Sequence, residues 1–302
     1  MLGMFEEFVE PAEALGIELV AAKTTQVLTE EELIEQLPHY DGWIIGDDPA
    51  TKQVFEAGLA GKLKAAVKWG IGVDNVDFAA CKELNIPIIN TPNMFGGEVA
   101  DVALAFLLGL ARETYFIDRE IRTNYGWPKP AGMSVAGKTV GVVGFGDIGK
   151  STVKRLSGFD VNVTVYDPGV EGNQGFDLVS RKNFPEGLEE LDFLIFTCAL
   201  NKHNFHMLNA DAIAKLKAGA KVINVARGPL IDESALISAL QSGHISAAAL
   251  DVFEEEPLPK ASPLRDMPQC IFGSHNGSNT KEGVRRATYE AMSKIAGFLY
   301  GR

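Results

Sequence analysis

The feature that most narrows what this chain can fold into is the stretch KTVGVVGFGDIGKSTV, residues 138–153. An apolar strand pattern runs straight into Gly144, Gly146 and Gly149, spaced G-x-G-x-x-G, and a helical pattern follows without a linker. Strand, glycine loop and helix in that order open a βαβ unit, in which a dinucleotide pyrophosphate rests on the helix N-terminus. In a chain with 31 glycines the spacing alone says little. Its surroundings say more. The next strand, VNVTVYD, ends in Asp167, eighteen residues beyond Gly149, where a carboxylate accepts the cofactor's ribose hydroxyls. A carboxylate there also repels a 2′-phosphate, so NAD is expected rather than NADP. The ordinary alternative for Asp167-Pro168 is a strand-ending turn.

Further strands are predicted at LDFLIFT, AKVINVA, SAAALDV and CIFGS. Helices lie between them at ADAIAKL, capped by Asn209, and ESALISAL, capped by Asp232 with Gly243 past its end. This alternation predicts a Rossmann-type doubly wound parallel sheet with ligands at the strand carboxyl ends. The N-terminal part alternates with a shorter period: a helix over about 5–15, a strand IELVAA, a helix TEEELIEQL capped by Thr29, strands GWIIG and LKAAVKW, a helix VDFAACKEL and a strand IPIIN. Such folds usually open with a strand, and none is read before Phe5. A helix over about 97–115 follows, then the loop-like NYGWPKPAGMSVAG at 124–137, and a final helix spans 281–300. The fold class is α/β. Residues 95–274 are expected to form the cofactor domain. Residues 1–94 with 275–302 are expected to form a discontinuous, flavodoxin-like second α/β domain.

The 302 residues suffice for two cores. A net charge of −12 argues against nucleic-acid or anionic-membrane partners, which need a basic patch. Cys81, Cys198 and Cys270 are odd in number and form no C-x-x-C pair, as expected of reduced thiols in a cytoplasmic protein. The opening MLGMFEEFVE lacks the basic start of a signal peptide, and VALAFLLGLA is too short to span a bilayer. The histidines show no metal-ligand spacing, so no metal is expected; His203 and His206, in a loop, read as structural.

A second constellation lies in the C-terminal third. Arg227 in NVARGPLIDESAL follows a strand directly. Asp251 ends another strand in ALDVFEEEP, before an acidic run closed by Pro257. His275 follows the last strand in FGSHNGSN. Taken singly these read as a turn, a solvated acidic loop and a surface histidine. All three fall at strand carboxyl ends, on the side of the glycine loop, which favours a ligand site.

With these motifs in order, the chain resembles the D-isomer-specific 2-hydroxyacid dehydrogenases over nearly its whole length, through KWGIGVDNVD, INTPN, GFGDIG, VYDP, NVARGPLIDESAL, LDVFEEEP and SHNGSNT. The resemblance implies an NAD-dependent oxidoreductase that interconverts a D-2-hydroxy acid and its 2-oxo acid. It places the family's Arg–Glu–His set on Arg227, Glu256 (the acid before the proline) and His275. It implies cofactor contacts at Gly144, Gly146, Asp147, Ile148, Gly149, Asp167, Cys198, Val225, Ala226, Asp251 and Gly277, and substrate contacts at Lys68, Ile71, Gly72 and Arg227. It further implies a homodimer through the cofactor domain, with residues 97–137 at the interface. The chemistry suits these residues. A positioned histidine delivers a proton to the keto oxygen, a neighbouring glutamate orients it, and arginine binds the carboxylate.

Three positions depart from the pattern. Asp147 stands where the family often has an arginine on the pyrophosphate, and Ala199 and Asn201 stand where Pro and Thr are usual. Asp47 and Asp48 make the substrate-side loop acidic, leaving Lys52, Lys68 and Lys129 as cations for a phosphorylated substrate. Both 3-phosphoglycerate and the glyoxylate/hydroxypyruvate class stay open. The alternative from another class is an NAD-sensing binding protein of corepressor type.

Overall fold

The computed structural model describes residues 2–24, 27–170, 175–176 and 179–301. The chain divides into two units, Met1–Met94 with Asn279–Arg302, and Phe95–Ser278. His275, placed by the sequence reading at the start of the returning segment, belongs to the second unit.

The first unit begins with α1 (Glu6–Ala14) and α2 (Glu30–Gln36). Thr29 caps α2 in a capping box: its hydroxyl accepts from the Glu32 amide while the Glu32 carboxylate accepts from its own. Then come β1 (Gly42–Ile45), α3 (Lys52–Ala60), β2 (Ala65–Lys68), α4 (Phe78–Glu83) and β3 (Ile88–Asn90). The three strands are parallel, in the order β1-β2-β3. The predicted strand IELVAA is not one. Residues 17–22 join no ladder; Ile17 and Leu19 are half-buried against Phe8 and Ala12 while Val20 is exposed. Alternating burial alone imitates a strand that lacks a hydrogen-bonding neighbour.

The second unit opens with α5 (Gly96–Arg112). The helix predicted to reach residue 115 breaks at Glu113, which is left-handed (φ +53°), and α6 (Thr114–Thr123) follows. The break folds Tyr115 back so closely that a Cβ on Gly109 would lie 2.5 Å from its ring. Next come β4 (Thr139–Val143), α7 (Asp147–Leu156), β5 (Asn162–Tyr166), β6 (Val179–Arg181) and β7 (Phe193–Phe196). They are followed by α8 (Ala210–Lys215), β8 (Ala220–Asn224), α9 (Glu233–Ser242), β9 (Ile245–Leu250) and β10 (Cys270–Phe272). Asn209 and Asp232 cap α8 and α9 as predicted. β6 is a three-residue edge strand whose Val-Ser-Arg carries no pattern to predict it.

All seven strands are parallel, in the order β10-β9-β8-β7-β4-β5-β6. β4 lies between β5 and β7, so chain order reverses beside the glycine loop, at the crevice where such sheets hold ligands. β7 is buried along its whole length, as a strand covered on both faces must be. The chain then returns to the first unit as α10 (Lys281–Tyr300), whose Ala291 and Ile295 pack on Ala65 and Val67 of β2. Among the described residues, no helix is long and apolar enough to cross a membrane.

Candidate active site

The glycine loop is built by contact. Gly144 has φ +94°, and a Cβ there would lie 2.6 Å from the Cα of Cys198 at the end of β7. A Cβ on Gly149 would sit 2.1 Å from the Gly144 carbonyl oxygen, so α7 starts hard against the strand it leaves. Around Gly146, by contrast, the space is open. The loop is held from two sides. The Gly144 amide donates to the Tyr166 carbonyl (2.8 Å), and the Phe145 amide to the Asp167 carboxylate (2.6 Å). The buried Thr197 hydroxyl donates toward the carbonyls of Val143 and Gly144, at 3.0 and 2.9 Å. A cradle that a side chain would fill, at the start of a ten-residue helix, fits a dinucleotide pyrophosphate.

Asp167 divides its carboxylate between Phe145 in the cradle and the Gly169 amide (2.8 Å), so the glycine loop and the acid after β5 form one assembly. Burial, with the charge of Asp167 adding, pushes the Cys198 thiol up to about 12. Val225 and Ala226 are buried beyond β8, and Ile148 is half-buried in the first turn of α7.

The Asp147 side chain sits against the start of α5. Its carboxylate lies over the α-carbon of Gly96, where a Cβ would be 2.4 Å from Oδ1. It belongs to the packing of α7 on α5, together with Arg155, which bonds Asp101 at 2.6 Å. Its side chain makes a helix–helix contact.

Arg227 follows β8 in a loop braced by Asn224. That buried side chain donates to the Arg227 carbonyl (2.8 Å) and accepts from the Ala226 amide (3.0 Å). Gly228 lets this loop touch the next one: a Cβ there would lie 1.8 Å from the Phe253 carbonyl oxygen.

The three acids of FEEEP part company. Glu256 places one oxygen 2.7 Å from Nδ1 of His275 and accepts the Phe253 amide (2.9 Å) with the other. Glu254 lies 2.5 Å from Nε2 of His206, and Glu255 is exposed. A carboxylate only accepts, so His275 carries its proton on Nδ1 and directs Nε2 elsewhere. His275 is left-handed (φ +54°), and its amide donates to the Asp251 carbonyl (2.6 Å). The Asp251 carboxylate, 3% exposed, accepts the next two amides, Asn276 (3.1 Å) and Gly277 (2.8 Å). Asp251, expected to meet nicotinamide, thus clamps the histidine loop, and Gly277 spends its amide on that clamp.

In the first unit, the loop after β2 is set by Thr91. Its buried hydroxyl accepts from the Gly70 amide (2.7 Å), and its own amide donates to the carbonyls of Lys68 and Gly70. Among the described residues, the amides of Ile71 and Gly72 donate to no protein acceptor. Lys68 does not serve as an open substrate cation. It is 2% exposed, and its ammonium is bound by the Gly46 carbonyl (2.5 Å) and Asp47 (3.3 Å). Lys52 pairs with Glu83 at 2.7 Å. Sequence reasoning missed Thr91, Thr197 and Asn224; their only signal is a polar residue within or just past a buried strand.

The profile of the D-isomer-specific 2-hydroxyacid dehydrogenase NAD-binding domain matches residues 104–277. The chain is 36% identical over 281 residues to a D-3-phosphoglycerate dehydrogenase of Methanocaldococcus jannaschii, covering 91% of this chain and 52% of that protein. To a hydroxypyruvate reductase of Thermotoga maritima it is 34% identical over 278 residues, covering 90% of this chain and 89% of that one. The chain thus spans about half the length of the phosphoglycerate dehydrogenase and most of the reductase. Among solved structures, the TT0316 protein of Thermus thermophilus superposes with a TM-score of 0.90 at 28% identity, over 98% of this chain and 94% of that chain.

Proposed function

The chain belongs to the D-isomer-specific 2-hydroxyacid dehydrogenase family, and on that premise we propose that it is an NAD-dependent enzyme interconverting a D-2-hydroxy acid and its 2-oxo acid. The observation that carries the reading is the 2.7 Å contact of Glu256 with His275 Nδ1, one loop away from Arg227. Glu256 fixes tautomer and ring orientation, and Nε2 gives a proton to the keto oxygen in reduction and takes it back in oxidation. Arg227 binds the carboxylate and meets the charge that grows on the keto oxygen. Asp251 keeps His275 in place. Bound nicotinamide supplies or accepts the hydride. The relatives compared are named as a dehydrogenase and a reductase, which favours turnover over the NAD-sensing alternative.

For the substrate we favour a small unphosphorylated 2-oxo acid of the glyoxylate/hydroxypyruvate class over a 3-phosphoglycerate-type one. Lys52 and Lys68, the first-unit cations considered for a phosphate, are already engaged by Glu83 and Asp47. We place the protein in the cytoplasm, which its three free thiols suit. We propose a homodimer through the cofactor unit. Tyr125 and Trp127, 93% and 78% exposed beyond α6, support an interface there, since rings this bare favour a partner. The test is an absorbance assay at the NADH band with glyoxylate, hydroxypyruvate and 3-phosphohydroxypyruvate, run with NADH and NADPH in parallel. We expect NADH oxidation with at least one unphosphorylated acid. NADH binding without turnover on any of them would favour the sensor.

A further inference from the structure

We propose that His206 is a positioning residue for the Glu256–His275 pair, acting through Glu254. The reaction it serves rests on the dehydrogenase reading above; the coupling rests on the geometry of the second unit alone.

His206 lies in the segment between β7 and α8 and touches two catalytic loops. Its amide donates to the Pro229 carbonyl (2.8 Å), two residues beyond Arg227, and the Leu208 amide donates to Leu230 (3.1 Å), so this segment runs beside the arginine loop. Its side chain reaches the other loop. Nε2 is 2.5 Å from Glu254 Oε1, which also accepts the Glu233 amide at the start of α9 (3.2 Å). The Glu254 amide points back to the Glu233 carboxylate at 3.4 Å. Glu254 follows Phe253, whose amide Glu256 holds and whose carbonyl rests on Gly228. The turn that presents Glu256 to His275 is therefore gripped at its inner end by Glu256 and at its outer end by Glu254.

The charges make His206 hard to replace. Asp232, Glu233 and Glu254 surround this joint, with Glu255 next in the chain. Burial pushes Glu233 above the usual carboxylate range, and Glu254 and Glu255 add to the rise. Asp232 is held low by the hydrogen bond from Ser234, then by the Ala235 amide, with His206 contributing. His206 presents Nε2 to this acidic group as a hydrogen-bond donor to Glu254. Without its side chain, Glu254 keeps one amide among like charges, the outer end of the turn is released, and Glu256 two residues on loses its fixed approach to His275. His206 also holds a left-handed backbone (φ +50°), a conformation uncommon outside glycine.

The test uses the full chain and three variants: His206→Ala, His206→Gln (which keeps an N–H donor) and Glu254→Gln. The low-field proton resonance of the His275 Nδ1–H is assigned by its loss in Glu256→Gln and followed by NMR; near-UV circular dichroism confirms folding. We expect that resonance to broaden through faster exchange in His206→Ala and Glu254→Gln, and to recover in His206→Gln. With NADH and the best 2-oxo acid, kcat should fall about tenfold in His206→Ala, with the KM for NADH within about twofold. A resonance unchanged in both His206→Ala and Glu254→Gln overturns the proposal, as does His206→Gln as impaired as His206→Ala. If the wild-type chain turns over no 2-oxo acid, the dehydrogenase reading fails, and the resonance alone judges the coupling.

Discussion

Replacing Asp251 by asparagine removes a charge and almost no volume, and its consequences can be worked out bond by bond. The carboxylate accepts two amides, from Asn276 and Gly277, inside a site where Asp251 is 3% exposed. The amide side chain keeps one acceptor and turns an N–H₂ group toward the other donor. One buried N–H is left unpaired, at a cost of about 1–3 kcal/mol. For a folding unit of this size each kcal/mol lowers Tm by about 2–4 °C, so a fall of about 2–12 °C is expected. The two amides follow His275 directly, and a catalytic group displaced by about 1 Å can lose about 10²-fold in rate. Asp251→Asn should therefore lower both Tm, read by circular dichroism, and kcat, read at the NADH band. Asp251→Ala, which orphans both amides, should lower Tm further. A Tm within about 1 °C of wild type together with an unchanged kcat would show that the clamp does not hold the loop. A large loss of NADH affinity at unchanged Tm would return Asp251 to the cofactor-contact role.

His275→Ala should lower kcat by about 10²–10⁴-fold while NADH binding, followed by fluorescence, persists; normal turnover would remove His275 from proton transfer. Glu256→Gln should cost about 10–10²-fold in kcat, whereas Glu255→Gln should stay within about twofold, and the reverse ranking would reassign the partner of His275. Asp192 ties β7 to the neighbouring strands: it accepts the Thr139 amide (3.0 Å) and the Lys217 ammonium (2.7 Å). Burial pulls its carboxyl upward, but Lys217 and then the Thr139 amide outweigh it and hold it below the ordinary 3.8. A depressed carboxyl stabilises the fold above its unfolded value and loses that contribution as the pH falls through the folded one. The Tm gap between wild type and Asp192→Asn should therefore be full near pH 7 and shrink below about pH 3.8; a gap equal at pH 3 and pH 7 would contradict the assignment.

How much of this was legible in the sequence depended on the range of the interaction. The cradle was legible because its glycines, its strand and Asp167 lie within one βαβ unit and answer to local rules. Thr29, Asn209 and Asp232 were legible for the same reason: a cap bonds three residues ahead. Arg227, Glu256 and His275 were placed by motif; they follow the neighbouring strands β8, β9 and β10, and Glu256 meets His275 directly. The division of labour among Glu254, Glu255 and Glu256 was not legible, because it is decided by where His206 and His275 arrive from distant strands. Lys68 read as a substrate cation because the approach of Gly46 and Asp47, more than twenty residues back, leaves no mark on its own neighbourhood. α6 was hidden by the absence of glycine or proline at Glu113, where tertiary packing imposes the left-handed turn.

The seating of Asp147 on Gly96 makes two distant positions one unit of design. While the acid keeps this seat, a side chain at position 96 would have to push the Asp147 carboxylate aside, even though alanine suits a helix better than glycine. Installing arginine at 147 to reach a cofactor phosphate would clear that space, and the neutral companion change, Gly96→Ala, would then stiffen the start of α5. Gly96→Ala alone tests the clash with Asp147; only the pair tests whether phosphate affinity and helix stability can be raised together.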